Sequence, residues 1–219
     1  MVDSALVIMA KAPMPGQVKT RLCPPLTPDL AAELYRCMLY DKIAQAKSIS
    51  GIDVFLALPE DQPISGPDII RQRGSELGER LECCLKAALK KGYRHVLLVD
   101  SDSPTLPARF FVAGISAIRN GADIVLGPTI DGGYYLIGLS APCHEVFTGI
   151  PWSTNKVFER TLEKAAGMSL ELLPEWYDVD TPEDLGRLMN DPAVPSAAPR
   201  TAAWLAEWAT REAYKPAGK

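Results

Sequence analysis

Along this chain, short runs of consecutive apolar residues alternate with longer stretches in which apolar positions recur every three or four residues. A continuous apolar run fits a strand buried on both faces, and the longer spacing fits a helix that buries one side. The runs predict strands at 5–10, 52–58, 95–99, 123–126, 134–139 and 169–173, with a short extra strand near 69–72. The periodic stretches predict helices over 28–48, 77–91, 107–120, 154–166 and 182–189. Thr27 before Pro28 and Thr181 before Pro182 each set a capping hydroxyl ahead of a first-turn proline, where a missing N–H leaves no bond unmade. Strands and helices in this alternation imply a mostly parallel sheet covered by helices on both faces. Residues 191–200 are rich in proline, alanine and serine and read as a linker, after which a helical pattern resumes with Trp204 and Trp208 on one face. The expected organisation is one domain over 1–190, with 191–219 adding the linker and a helix docked on that domain. Packing against the domain is the first use of the two tryptophans, and a homodimer contact is the second.

Composition narrows the function. A chain of 219 residues, 47% hydrophobic and 23% charged, suits one ordinary core. A net charge of -4 argues against nucleic acid or an anionic membrane surface as the partner and leaves small ligands as the better fit. No apolar run approaches the ~20 residues of a membrane span, and residues 1–10 lack the basic start and long apolar middle of a signal peptide, so the expected location is the cytoplasm. The five cysteines form no C-x-x-C pair and read as small hydrophobes. Neither His95 nor His144 has a histidine or cysteine at metal-ligand spacing, so any metal is expected on oxygen ligands.

Candidate chemistry gathers where strands end. The first strand runs into a proline-broken loop carrying Lys11, Lys19 and Arg21, and no acid occurs between Ser4 and Pro28. Such a loop opens at the carboxyl edge of the sheet, where ligands of open α/β folds bind, and Lys and Arg suit phosphate. From this segment alone, phosphate binding and a solvated basic loop are equal accounts. The apolar run at 95–99 ends in Asp100-Ser101-Asp102, two carboxylates at the exit of a buried strand. Acids there are costly unless partnered, and the pair suits Mg²⁺ or Mn²⁺ shared with substrate phosphates better than it suits a plain turn. Asp131-Gly132-Gly133 fits either a close backbone approach to ligand or a hairpin turn. Asp178 and Asp180 form a second alternating pair, while Asp184 is placed to close a capping box with Thr181. Gly78 and Arg80 lie at the start of a helix and suit a phosphate or nucleobase pocket, or simply a polar helix start.

Taken in order, Lys19-Thr20-Arg21-Leu22, Leu77-Gly78-Glu79-Arg80, Asp100-Ser101-Asp102, Asp131-Gly132-Gly133-Tyr134, Pro151-Trp152-Ser153-Thr154 and Asp178-Val179-Asp180-Thr181-Pro182 resemble the motif set of the GT-A nucleotide-diphospho-sugar transferases. The likeness is strongest to a little-characterised bacterial family of GT-A glycosyltransferases and covers most of 5–185. It implies an α/β fold, a Rossmann-like three-layer α/β/α sandwich with a mixed, mostly parallel central sheet. With the reading above, it implies Asp102, Asp131 and Asp180 as catalytic candidates and Asp100, Asp102 and Asp180 as ligands of Mg²⁺ or Mn²⁺. Lys11, Lys19, Arg21, Gly78, Arg80, Gly132 and Gly133 become the nucleotide- and phosphate-binding candidates. The segment 19–22 also resembles phospholactate guanylyltransferases, and 180–185 is similar to nucleotidyltransferases of molybdenum-cofactor maturation. In place of the G-x-G-x-R loop of sugar nucleotidyltransferases, however, this chain has Pro13 and Pro15. The expectation is glycosyl transfer from a nucleotide sugar to a small-molecule acceptor. Nucleotidyl transfer from an NTP is the alternative, and a nucleotide-binding regulator without turnover ranks below both.

Overall fold

Residues 2–62, 66 and 68–213 are described by a computed structural model. The apolar runs become seven strands of one sheet: β1 (Ser4–Met9), β2 (Asp53–Pro59), β3 (Ile69–Gln72), β4 (His95–Val99), β5 (Ile124–Pro128), β6 (Tyr134–Leu139) and β7 (Leu170–Leu172). Their spatial order is β3-β2-β1-β4-β6-β5-β7, and β6 alone runs antiparallel to its neighbours. The periodic stretches become α1 (Pro28–Lys47), α2 (Leu77–Lys90), α3 (Ala108–Arg119), α4 (Val157–Lys164) and α5 (Pro182–Asn190), followed by α6 (Val194–Ala197) and α7 (Pro199–Ala213). This is the expected α/β/α sandwich with a mixed, mostly parallel sheet.

Both faces of the central strands are covered, which is why their sequences are apolar without alternation. Leu6, Ile8, Leu97 and Val99 pack with α1 and α3, while Ala5, Val7, Val96 and Leu98 face α2 from the opposite side. A third cluster joins the outer face of α1, through Ala31, Leu34 and Met38, to Leu185, Leu188, Val194 and Leu205. Helix α1 is therefore buried on two sides. The chain leaves β1 toward β2 and β3 in one direction and returns to β4 on the other side. The switch point lies at the carboxyl ends of β1 and β4, where a crevice opens in folds of this kind.

Two regions differ from the sequence expectation. The helix expected over 154–166 begins only at Val157, because residues 151–156 form turns in which the Thr154 hydroxyl donates to the Pro151 carbonyl at 2.7 Å. The stretch expected as a linker holds the short helix α6, and Val194 and Ala198 within it are buried. Asp41 explains that order. Its carboxylate, fully buried on α1, accepts from Thr201 N at 2.8 Å, Thr201 Oγ1 at 2.9 Å and Arg200 N at 3.2 Å, and so caps the start of α7 from outside that helix. Trp204 and Trp208 stack 5.9 Å apart and lie against the third cluster, so packing is the use the fold makes of them. All five cysteines are free, but only Cys84 is fully buried. Among the described residues no helix is long and apolar enough to cross a membrane.

Asp41→Ala would strand two N–H groups and a hydroxyl at the start of α7. The expected result is a loss of about 2 kcal/mol in chemical denaturation, with faster amide exchange concentrated in 199–213. Unchanged exchange there would show that α7 is held by its apolar face alone.

Candidate active site

The switch point opens into a cavity of about 780 Å³, large enough for a nucleotide with an attached group. Its walls come from the loop after β1, the turn after β4, the β5–β6 turn, the loop before α4 and the strap between β7 and α5. Five carboxylates (Asp100, Asp102, Asp131, Asp178 and Asp180) and four cations (Lys11, Lys19, Arg21 and Arg80) line it. Residues spread over 170 positions of sequence therefore meet on one surface only after folding.

Backbone bonds fix where the acids stand. Asp100 N donates to the Tyr135 carbonyl at 2.9 Å, which seats the 100–102 turn against β6. The strap is stitched beside β5 by Ile130 N to the Trp176 carbonyl at 3.0 Å and beside that turn by Val179 N to the Asp102 carbonyl at 3.0 Å. Asp178 and Asp180 thereby flank Val179, whose apolar side chain is fully buried and points away from them. The capping box expected at Thr181 is present: Asp184 Oδ2 accepts from Thr181 N at 2.8 Å, and Asp184 N donates to Thr181 Oγ1 at 3.3 Å. It starts α5 directly after Asp180.

Lys19 does not extend into solvent. Its side chain is 4% exposed, and Nζ forms ion pairs with Asp102 Oδ1 and, at 2.7 Å, with Asp180 Oδ1. Burial opposes its charge, but the two carboxylates outweigh burial and hold its pKa above the usual lysine value. Arg21 reaches Asp180 Oδ2 at 3.8 Å. Asp180 is raised by burial and lowered by Lys19 and Arg21, and the cations prevail. Asp102 has Lys19 alone, and burial together with Asp180 and Asp100 pushes its pKa up. Asp100 is engaged from behind: Lys42 Nζ lies 3.3 Å from Oδ1, and the Ser103 hydroxyl donates to Oδ2 at 2.6 Å. Asp131 is held by its own turn, accepting from Thr129 Oγ1 at 2.6 Å and Gly133 N at 3.0 Å. Asp178 has no such cation beside it. Burial, then Asp131, Asp180 and Asp100, push its pKa to about 7.

The cavity therefore collects every acid and cation expected from the sequence, whereas the glycines divide. Gly133 lines the cavity, where an added Cβ would come within 2.9 Å of Thr129 Oγ1. Gly78 and Gly132 stand outside the lining, and packing demands them instead. A Cβ on Gly78 would lie 2.4 Å from the Phe147 carbonyl, and one on Gly132, at φ 89°, would lie 2.3 Å from the Asn155 carbonyl. Arg80 lines the cavity with its guanidinium turned onto the Gly74 carbonyl at 3.0 Å.

Two residues escape the motif reading, Lys42 and Tyr35, and Asp178, which the motifs include, receives no role of its own from it. The Tyr35 hydroxyl accepts from Lys11 N at 3.1 Å and shares a hydrogen bond of 2.9 Å with Ser101 Oγ, tying the first loop to the 100–102 turn. The signal for both was available, since Tyr35, Leu39, Lys42 and Ala46 form one helical stripe. A lysine on an otherwise buried stripe requires an acid opposite it.

The donor set suits a hard cation. Its acids offer only oxygen and repel one another, and burial, with the neighbouring carboxylates, pushes Asp102 and Asp178 toward the neutral form. Among the described residues no three histidine, cysteine, aspartate or glutamate side chains converge as a ligand set. The chain would thus supply about two carboxylates and leave the remaining positions to phosphate oxygens and water, the usual manner of Mg²⁺.

A family described as "Uncharacterized protein conserved in bacteria (DUF2064)" matches residues 55–154. No curated protein sequence matches at significance. A Desulfovibrio desulfuricans G20 crystal structure, described as a "putative nucleotide-diphospho-sugar transferase", is 32% identical, with a TM-score of 0.87 and 96% of each chain covered. Two more distant structures share the fold. A CMP:2-keto-3-deoxy-manno-octonic acid synthetase complexed with CTP has a TM-score of 0.54 at 15% identity, over 85% of this chain and 96% of its own. Rv0371c of Mycobacterium tuberculosis H37Rv in complex with manganese has a TM-score of 0.50 at 16% identity, over 87% of this chain and 99% of its own.

The crowding of Asp178 has a measurable consequence for stability. An acid whose folded pKa is raised to about 7 destabilises the fold as pH climbs from its unfolded value near 3.8 toward 7, and the loss is complete above that. In chelator, Asp178→Asn is expected to raise the melting temperature at pH 8 and leave it unchanged at pH 4. Equal melting of the two proteins at pH 8 would show that Asp178 ionises freely.

Proposed function

Given that the chain belongs to the bacterial GT-A-fold nucleotide-diphospho-sugar transferase superfamily, we propose that it is a metal-dependent glycosyltransferase that moves a sugar from a nucleotide diphosphate to a small hydroxyl-bearing acceptor. The observation that carries this reading is the single cavity at the switch point, in which five carboxylates face four cations. A diphosphate would bring further negative charge to these acids, which a divalent cation would offset, and the manganese complex of the distantly similar Rv0371c supports one of this class. Asp102 and Asp180 would hold the ion, with Asp100 seated behind them by Lys42 and Ser103. When bound, the ion would offset the charge that develops on the departing diphosphate.

The other roles fall to the chain's own side chains. Lys11 and Arg21, exposed at the cavity mouth, suit the outer phosphate oxygens. Asp178, with a pKa of about 7, is matched to accept a proton from an acceptor hydroxyl at neutral pH. The bond from the anomeric carbon to the diphosphate oxygen breaks as the acceptor oxygen bonds to that carbon. The acceptor's proton passes to Asp178, and a nucleoside diphosphate leaves. One observation favours a second reading, nucleotidyl transfer: all three cations of the first loop face the cavity, a charge that suits a triphosphate.

Products separate the two reactions. Incubated with Mn²⁺ or Mg²⁺ and a panel of nucleotide sugars, and separately with triphosphates plus sugar phosphates, the protein is expected to release nucleoside diphosphate from a nucleotide sugar. Asp102→Asn is expected to lower that rate by at least ~100-fold, the scale of losing a group that stabilises transition-state charge. Pyrophosphate from a triphosphate, with every nucleotide sugar left intact, would establish nucleotidyl transfer instead.

A further inference from the structure

Lys19 is the most constrained charged residue of the cavity. Its backbone is left-handed, at φ 49° and ψ 35°, in a residue other than glycine, a conformation that is costly unless the surroundings enforce it. Two features hold it there: the turn Thr20–Leu22 that it opens, with Leu22 N donating to the Lys19 carbonyl at 3.0 Å, and the ion pairs of its side chain. The ammonium lies 5.9 Å from the centre of the Tyr35 ring and is screened from solvent. It is shared between one oxygen of Asp102 and one of Asp180, the two acids best placed to hold a divalent ion. A lysine devoted to phosphate would leave its side chain open to solvent at the cavity, and Lys11, exposed among the lining residues, is a residue of that kind.

We propose that Lys19 is an internal stand-in for the metal: its ammonium and the divalent ion compete for the Asp102–Asp180 pair, so that metal entry releases Lys19 to the substrate phosphates. The inference rests on the metal reading above. It explains why the two carboxylates can stand close together, since one positive charge between them offsets the repulsion that would otherwise part them. It also makes the departure of Lys19 a condition of metal binding. A phosphate that attracts the freed ammonium stabilises the metal-bound arrangement, and by reciprocity the metal favours the phosphate. Lys19 then acts as a positioning residue in one state and a phosphate ligand in the other, without any need for a larger movement of the fold.

Two measurements test this without turnover. The first is the affinity for Mn²⁺ alone, followed by the electron paramagnetic resonance of the free ion. Lys19→Met is expected to bind Mn²⁺ at least tenfold more tightly than the parent, whereas Lys11→Met, which removes the same charge from the cavity rim, should change it less than threefold. Equal affinity of parent and Lys19→Met, or equal gains in both variants, would overturn the competition. If neither parent nor Lys19→Met binds Mn²⁺, the metal reading itself fails and this inference with it. The second uses the unaltered protein, so it stands even if Lys19→Met folds poorly. The rate at which acetic anhydride labels Lys19, read by mass spectrometry, should rise at least tenfold on adding Mn²⁺, with labelling of Lys86 on α2 unchanged. An unchanged, slow labelling rate of Lys19 in the Mn²⁺-loaded protein would show that its ammonium stays with Asp102 and Asp180 and would rule out its release.

Discussion

An ammonium set between two carboxylates decides how five acids can share one edge of this sheet. Asp102 and Asp180 arrive from different elements, the turn after β4 and the strap before α5, and both are drawn to Lys19. Mutual repulsion would otherwise push the strap outward and open the cavity. The same contact separates the behaviour of the two acids. Asp180 has Arg21 as a second cation and is held below the usual carboxylate range, whereas burial, with Asp180 and Asp100 beside it, pushes Asp102 toward the neutral form.

Behind that contact stands a layer built from α1. Lys42 crosses the apolar interior to reach Asp100, at the cost of a pKa lowered by burial, and Tyr35 joins the first loop to the 100–102 turn. Removing either partner of a buried pair leaves the other charge without compensation, a heavier loss than the pair's own net contribution. Helix α1 is also held on its far side, where Asp41 caps α7. Helix α7 thereby braces the helix that positions the site, although none of its described side chains lines the cavity. The route from α7 to the acids runs through one rigid helix with adjacent charged residues, Asp41 and Lys42, pointing to opposite sides.

Much of this was legible in the sequence, for physical reasons that are local. A run such as His95–Val99 buried on both faces has to be continuously apolar, so its strand could be read directly, and Asp100 and Asp102 at its exit stand out because acids there need a partner. The threonine–proline starts of α1 and α5 and the Thr181–Asp184 box are contacts within one turn of helix, which spacing alone specifies. The motif order then pointed to the fold family, and with it to the acids and cations that meet in the cavity.

Tertiary structure decided what depends on meetings across long stretches of chain. Lys19 and Asp180 are 161 positions apart, and nothing in either segment says that this lysine pairs with an acid. Gly78 and Gly132 looked like ligand-facing glycines, yet each is required by a carbonyl from a distant loop, Phe147 in one case and Asn155 in the other. The proline-rich stretch before α7 read as a linker because its order comes from Asp41, on another helix. Which residues can ionise is fixed by the sequence, but the sign and distance of what surrounds them, and with these their ionisation, are set only when the chain closes on itself. For this protein, that closure turns a basic loop and three scattered acidic motifs into one site.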